Sequence, residues 1–268
     1  MTGDYEPIPT VPPPTHPPEG WVEPPRSPAV EPAVVEPVAG TGPPAELRLK
    51  VELAVVFFLS AVPGLVLGLR GFTDPESIDT DIAVLELLAA ILAALGPAAV
   101  AVYLLWRDGR LSAAGFDQRP LRWIAGYGAL GFVCAVIALM CVALVAVTVL
   151  TAVGAEPDGE TERLTITLGS VLAGIAIALV AGVGEEIVYR AYAITRFEEL
   201  GWVRAAVWVP WAVFTVQHLY QGPIAVLAVG AVAGTFVWLF RWQRSVWPVV
   251  VAHVLYDLFV LFVLATAG

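Results

Sequence analysis

Seven stretches of almost unbroken apolar residues follow one another along the chain, at residues 53–69, 82–106, 123–151, 164–183 with a continuation to about 196, 203–219, 224–240 and 249–267. Each has, or nearly has, the roughly 20 residues a helix needs to cross the hydrocarbon of a bilayer. Between them stand residues that end helices: Asp74-Pro75, Glu156-Pro157-Asp158-Gly159, Gln221-Gly222-Pro223 and Trp247-Pro248. The pattern predicts an all-α, polytopic membrane bundle of about seven spans, the fifth being the shortest.

Ahead of the first span the pattern is absent. Residues 1–46 are polar and laced with proline, as in Val11-Pro12-Pro13-Pro14 and Pro17-Pro18, with no period of 3.6 or 2. This predicts a disordered or polyproline-like tail ahead of a membrane domain at 47–268. It lacks the basic start and compact apolar core of a signal peptide, so it is expected to be retained on the cytoplasmic side. A partner with an SH3-type groove could bind it, although a solvated extension needs no partner.

Composition sharpens the class. The chain is 58% hydrophobic and 14% charged, with a mean hydropathy of +0.79, far from a soluble domain, in which about a quarter of residues are charged. Most of the net charge of -10 comes from the tail. With no basic field left over, nucleic acid is excluded as a partner and the lipid bilayer takes its place. Cys134 and Cys141 stand too far apart along one helix to bridge and read as small buried hydrophobes.

Arginine placement sets an orientation. Arg48, Lys50, Arg107, Arg110, Arg119, Arg122, Arg190, Arg196, Arg204, Arg241 and Arg244 fall on alternate sides of successive spans, whereas the opposite loops are mostly acidic. Positive residues stay cytoplasmic. The expectation is a plasma-membrane protein with its N-terminus inside and its C-terminus outside. Gly64-x-x-x-Gly68 and Gly230-x-x-x-Gly234 offer small faces for close helix contact.

One span breaks the apolar pattern. Gly184-Glu185-Glu186-Ile187-Val188-Tyr189-Arg190 places two carboxylates and a guanidinium at the end of an apolar run, where an unpaired charge costs several kcal/mol. On a helix Glu186 and Arg190 share a face and can pair, while Glu185 is turned about 100° away and left available. Two histidines lie in other spans. Measured at about 1.5 Å per residue from Arg196, Arg204 and Arg244 respectively, Glu185 lies at a depth of about 17 Å, His218 about 21 Å and His253 about 14 Å, which places all three in one layer. Asp257 follows His253 by one turn.

Such a group is suited to activating water. Glu185 is the candidate general base, with His218 helping to hold the water. His253 is the candidate donor to a developing oxyanion, with Asp257 or its neighbours fixing the ring. No serine or cysteine stands beside a histidine in this layer, which disfavours a covalent nucleophile. Glu185, His218 and His253 could also hold Zn²⁺ or another divalent metal, and the residues leave that open.

Taken together, Glu185-Glu186-x-x-x-Arg190, Phe214-x-x-x-His218 and His253-x-x-x-Asp257, in this order on successive apolar segments, resemble the three motifs of the CAAX-prenyl-protease and bacteriocin-processing (CPBP, or Abi) family. The resemblance covers residues 164–267. It implies a helical intramembrane endopeptidase acting on a membrane-associated protein or peptide, in a family whose members are often classed as metalloproteases. By position it implies Glu185 and His218 as water activators, His253 as oxyanion donor, and Glu186 with Arg190 as support. The last motif position is often Asn in the family. Here Asp257, when ionised, cannot donate a hydrogen bond, which favours a role in orienting His253 or binding a metal. Two other readings remain open: a non-proteolytic scaffold or immunity-type membrane protein, and a proton-coupled transporter, although no matching pair of broken half-helices supports the latter.

Overall fold

The computed structural model describes residues 43–73, 84–154 and 168–267, and among these the chain is helical with no strand. The helices are α1 (Pro43–Thr73), α2 (Val84–Arg107), α3 (Leu121–Ala152), α4 (Leu168–Glu186), α5 (Ala193–Glu199), α6 (Ala205–Gln217), α7 (Pro223–Gln243) and α8 (Trp247–Ala267). The proline-rich tail lies outside the described residues, except that residues 43–46 form the first turn of α1.

Among the described residues six helical segments are long and apolar enough to cross a membrane, counting α4 through α5 as one, and α6 is a shorter apolar helix. The seven apolar runs thus resolve into six long helices and one of 13 residues. At 1.5 Å per residue α6 reaches about 20 Å, two thirds of a hydrocarbon core. It stops at Gln217, and a 3-10 turn, Leu219–Gln221, leads to Gly222 at φ 88° and to Pro223, the first residue of α7. Only glycine adopts that φ without strain, and proline is suited to a first helical turn.

The segment from α4 to α5 is not a uniform helix. Ile187–Tyr192 forms a π turn, closed by the Ala193 N–H donating to the Val188 carbonyl, five residues back. Such turns concentrate at functional sites, and this one begins directly after the glutamate pair. All six of its residues are buried.

Small residues decide which helix faces meet. A methyl group on Gly184 would lie 2.5 Å from the Ala94 carbonyl oxygen of α2, and one on Gly182 would lie 2.6 Å from Val254 of α8. Glycine at these positions lets α4 lie tightly between the two, as close helix packing in lipid requires. Gly64 plays the same part between α1 and the end of α6, where an added methyl would lie 2.6 Å from the Gln217 carbonyl oxygen. At the other small-residue pair, Gly230 supplies the carbonyl that accepts from the Trp211 indole N–H at 2.7 Å. Helix α3 is peripheral. It packs on α7 and α8 through Gly128, Gly131 and Ala135 and leaves Leu144, Val145 and Val147 outward.

At one end of the bundle a charged network ties the helices together. Arg196, almost fully buried, donates to Glu199 at 2.7 Å, to Asp108 at 2.7 Å and to the Leu104 carbonyl at 2.9 Å. Arg244 donates to Glu198 at 2.7 Å, joining α7 to α5. These arginines, counted above only as markers of sidedness, are thus also internal struts. Asp108 lies just beyond α2. Burial alone would raise its carboxyl, but the hydrogen bond from Arg107 and the Arg196 charge hold it below the usual range. Cys134 and Cys141 are both free, but neither is buried as the apolar run suggested: Cys134 is partly exposed and Cys141 exposed.

Candidate active site

Glu186 and Arg190, four apart, meet: Arg190 Nη1 donates to Glu186 Oε1 at 2.9 Å, and both side chains are fully buried. The guanidinium also donates to the Ala233 carbonyl at 3.3 Å and lies 4.5 Å above the Phe214 ring and 5.7 Å from that of Phe236. A cation at this depth is therefore matched by one carboxylate, one carbonyl and two aromatic rings.

The same carboxylate oxygen has a second partner. His253 Nδ1 lies 2.7 Å from Glu186 Oε1, so Glu186 joins the arginine of its own helix to the histidine of α8. The ring is further packed by Phe236, at 5.1 Å between centroids, and by Phe214, at 6.1 Å. The sequence reading had Asp257 or its neighbours fixing this ring. The structure gives that contact to Glu186, because α8 meets α4 at the level of the glutamate pair. Asp257 Oδ2 faces the other nitrogen, Nε2, at 3.5 Å, and Glu185 Oε2 lies 3.8 Å from it. Three carboxylates therefore surround one imidazole.

Glu185 differs from its neighbour in exposure. Its side chain is 19% accessible where that of Glu186 is 0%, and it opens into two cavities. The first, of about 330 Å³, lies between α4, α6, α7 and α8 and is lined by Glu185, His218, His253 and Asp257. The second, of about 420 Å³, lies between α1, α2 and α4 and is lined by Glu185, His218 and Gln217. Tyr220 borders both. Elsewhere the walls are largely apolar, including Ala181 and Ile177 of α4 in each case.

His218 caps the end of α6, and its Nδ1 lies 2.7 Å from the Phe214 carbonyl oxygen. A carbonyl only accepts, so Nδ1 carries the hydrogen and donates, which leaves Nε2 of the neutral ring as a lone pair. Glu185, His218 and His253 are thus brought to one cavity wall, with Asp257 beside them and Glu186 and Arg190 behind. As a metal centre the arrangement does not fit: among the described residues no group of three His, Cys, Asp or Glu side chains comes together as a ligand set.

Two participants escaped the sequence reading. Tyr189, in the π turn, donates its hydroxyl hydrogen to Gln217 Oε1 at 2.6 Å, and both side chains are buried. The signal was present in Gln217, an uncharged polar residue inside an apolar run and directly before the motif histidine.

Helical membrane segments around a buried charged site define a membrane-embedded protein. Residues 167–259 match the family described as type II CAAX prenyl endopeptidase Rce1-like. The match covers about a third of the chain, from α4 into α8, and contains Glu185, Glu186, Arg190, His218, His253 and Asp257. The resemblance drawn from the three motifs is borne out over these residues, and the family is one of CAAX-type intramembrane proteases. Neither the curated proteins nor the solved structures give a match.

Proposed function

We propose that the protein is an intramembrane endopeptidase that hydrolyses a peptide bond of a membrane-associated protein or peptide, without a covalent enzyme intermediate. The observation that carries this reading is the convergence of Glu185, His218 and His253 on one cavity between apolar helices. In the proposed reaction Glu185 takes a proton from water as the oxygen bonds to the scissile carbonyl carbon, and the Nε2 lone pair of His218 holds that water. The oxyanion accepts a hydrogen bond from Nε2–H of His253. That ring donates at Nδ1 to Glu186 and at Nε2 to the oxyanion, and so carries both hydrogens in this step. As the C–N bond breaks, the amine nitrogen receives the proton from Glu185. No step runs through a metal.

Apolar cavities on both sides of Glu185 suit a substrate with apolar residues flanking the cleaved bond. In the proposed orientation the arginine-rich end of the bundle is cytoplasmic.

The test uses the full chain in proteoliposomes with a panel of internally quenched fluorogenic peptides carrying apolar anchors. Wild-type protein is expected to cleave at least one peptide, and Glu185→Gln to fall by roughly 10²–10⁴-fold with an unchanged melting temperature. Cleavage by Glu185→Gln at the wild-type rate would remove the mechanism. Absence of cleavage by the wild type would favour the scaffold or immunity-type reading.

A further inference from the structure

Around Glu185 the site is rich in acceptors and poor in donors. Glu185, Glu186 and Asp257 accept only when ionised, and His218 presents a lone pair. Tyr220 and Gln221 are both exposed, with Gln221 Nε2–H donating to the Tyr220 hydroxyl oxygen at 3.1 Å. Gln217 differs: it is 95% buried, next in sequence to His218, and lines the cavity that Glu185 and His218 also line.

The two ends of its carboxamide are distinguished by Tyr189. A phenol hydroxyl donates to the oxygen end at 2.6 Å, so the NH₂ end is left for another acceptor, and Nε2 has no partner among the described residues. The backbone of Gln217 is fixed too, since its carbonyl is pressed against Gly64 of α1. Nε2 is not among the fully buried unpaired side-chain atoms, so it is open to the cavity that Gln217 lines. A substrate carbonyl oxygen entering that cavity would give it an acceptor.

We propose that the Gln217 carboxamide donates a hydrogen bond to the carbonyl oxygen of the scissile peptide bond, with Tyr189 as the positioning residue that fixes which end of the amide faces the cavity. The proposal rests on the proteolytic reading. It assigns Gln217 a donor role that an ionised Asp257 cannot fill.

Glu at this position separates the donor role from a bracing role, because it retains an oxygen for Tyr189 and nearly the same volume while losing the NH₂ group. With an anchored quenched peptide that the wild type cleaves, Q217E is expected to lose about 10²–10³-fold in kcat with KM within threefold, and Y189F to lose about tenfold. A thioamide at the scissile bond, whose sulfur accepts hydrogen bonds weakly, is expected to slow the wild type and to slow Q217A less. Melting temperatures of the variants check folding, and the thioamide comparison in wild type and Q217A stands if Q217E does not accumulate. Q217E as active as wild type, or equal thioamide effects in wild type and Q217A, would overturn the proposal while leaving the Glu185 mechanism in place. Failure of the wild type to cleave any peptide would remove both.

Discussion

Oε1 of Glu186 accepts from Arg190 of its own helical segment at 2.9 Å and lies 2.7 Å from Nδ1 of His253 on α8, all three groups being buried. One carboxylate oxygen thereby neutralises a cation and sets the ring of the proposed oxyanion donor. Its two tasks can be separated by substitution.

Glu186→Ala strands a buried guanidinium and is expected to cost about 3–5 kcal/mol, with a fall in melting temperature of several degrees and loss of activity. Glu186→Leu combined with Arg190→Met removes the charges together and is expected to recover most of the stability, since a buried pair is often replaced by apolar residues without loss. Activity should stay lost in the double variant, because His253 keeps no partner at Nδ1. Thermal unfolding in detergent and peptide cleavage, measured on the same preparations, check both parts.

Asp257→Asn is expected to raise kcat by up to about tenfold near neutral pH. The substitution removes a carboxylate 3.5 Å from Nε2 of His253 and supplies an amide donor where negative charge develops, and tenfold corresponds to about 1.4 kcal/mol of barrier. A fall in kcat would assign Asp257 to orientation of His253 instead.

Gly184→Ala places a methyl 2.5 Å from a backbone oxygen of α2 that cannot swing away. Overpacking of about 1–3 kcal/mol is expected, together with reduced activity, since the displaced residue precedes Glu185. Gly96→Ala is the control. It meets nothing within 4 Å and should stabilise the helix by about 0.4–1 kcal/mol. Melting temperatures moving in opposite directions would bear this out.

Asp108 gives a pH dependence with a definite sign. Its carboxyl is part-buried but held below the usual range by Arg107 and Arg196, so its contribution to stability is fully present above the unfolded pKa of about 3.9. That contribution is lost as pH falls through the lower folded value. The difference in melting temperature between wild type and Asp108→Asn should be constant from pH 7 to about 5 and shrink as pH approaches 3. A difference that widened on acidification would contradict the assignment.

Much of this architecture is local and was legible before any contact was known. The lengths of the apolar runs set the helices, Gly222-Pro223 set the start of α7, and the four-residue spacing of Glu186 and Arg190 set their pairing. Sequence spacing also placed Glu185, His218 and His253 at similar depth. Where sequence reasoning fell short the cause was geometric. The 13-residue α6 ends before completing a crossing, and the π turn at Ile187–Tyr192 leaves no mark in an apolar periodicity.

Sequence alone determined where the apolar helical runs lie and which charged groups interrupt them, because hydrophobic length and i,i+4 spacing are properties of neighbouring residues. The tertiary structure decided how each helix is rotated: that Glu186, and not Asp257, takes Nδ1 of His253, that Tyr189 reaches Gln217, and that Glu185 faces two cavities. Lipid is as apolar as leucine, so hydrophobicity cannot say which face of a membrane helix points inward. That choice rests on close approaches between distant segments, such as Gly184 against Ala94 and Gly64 against Gln217, which become visible only when the helices are packed.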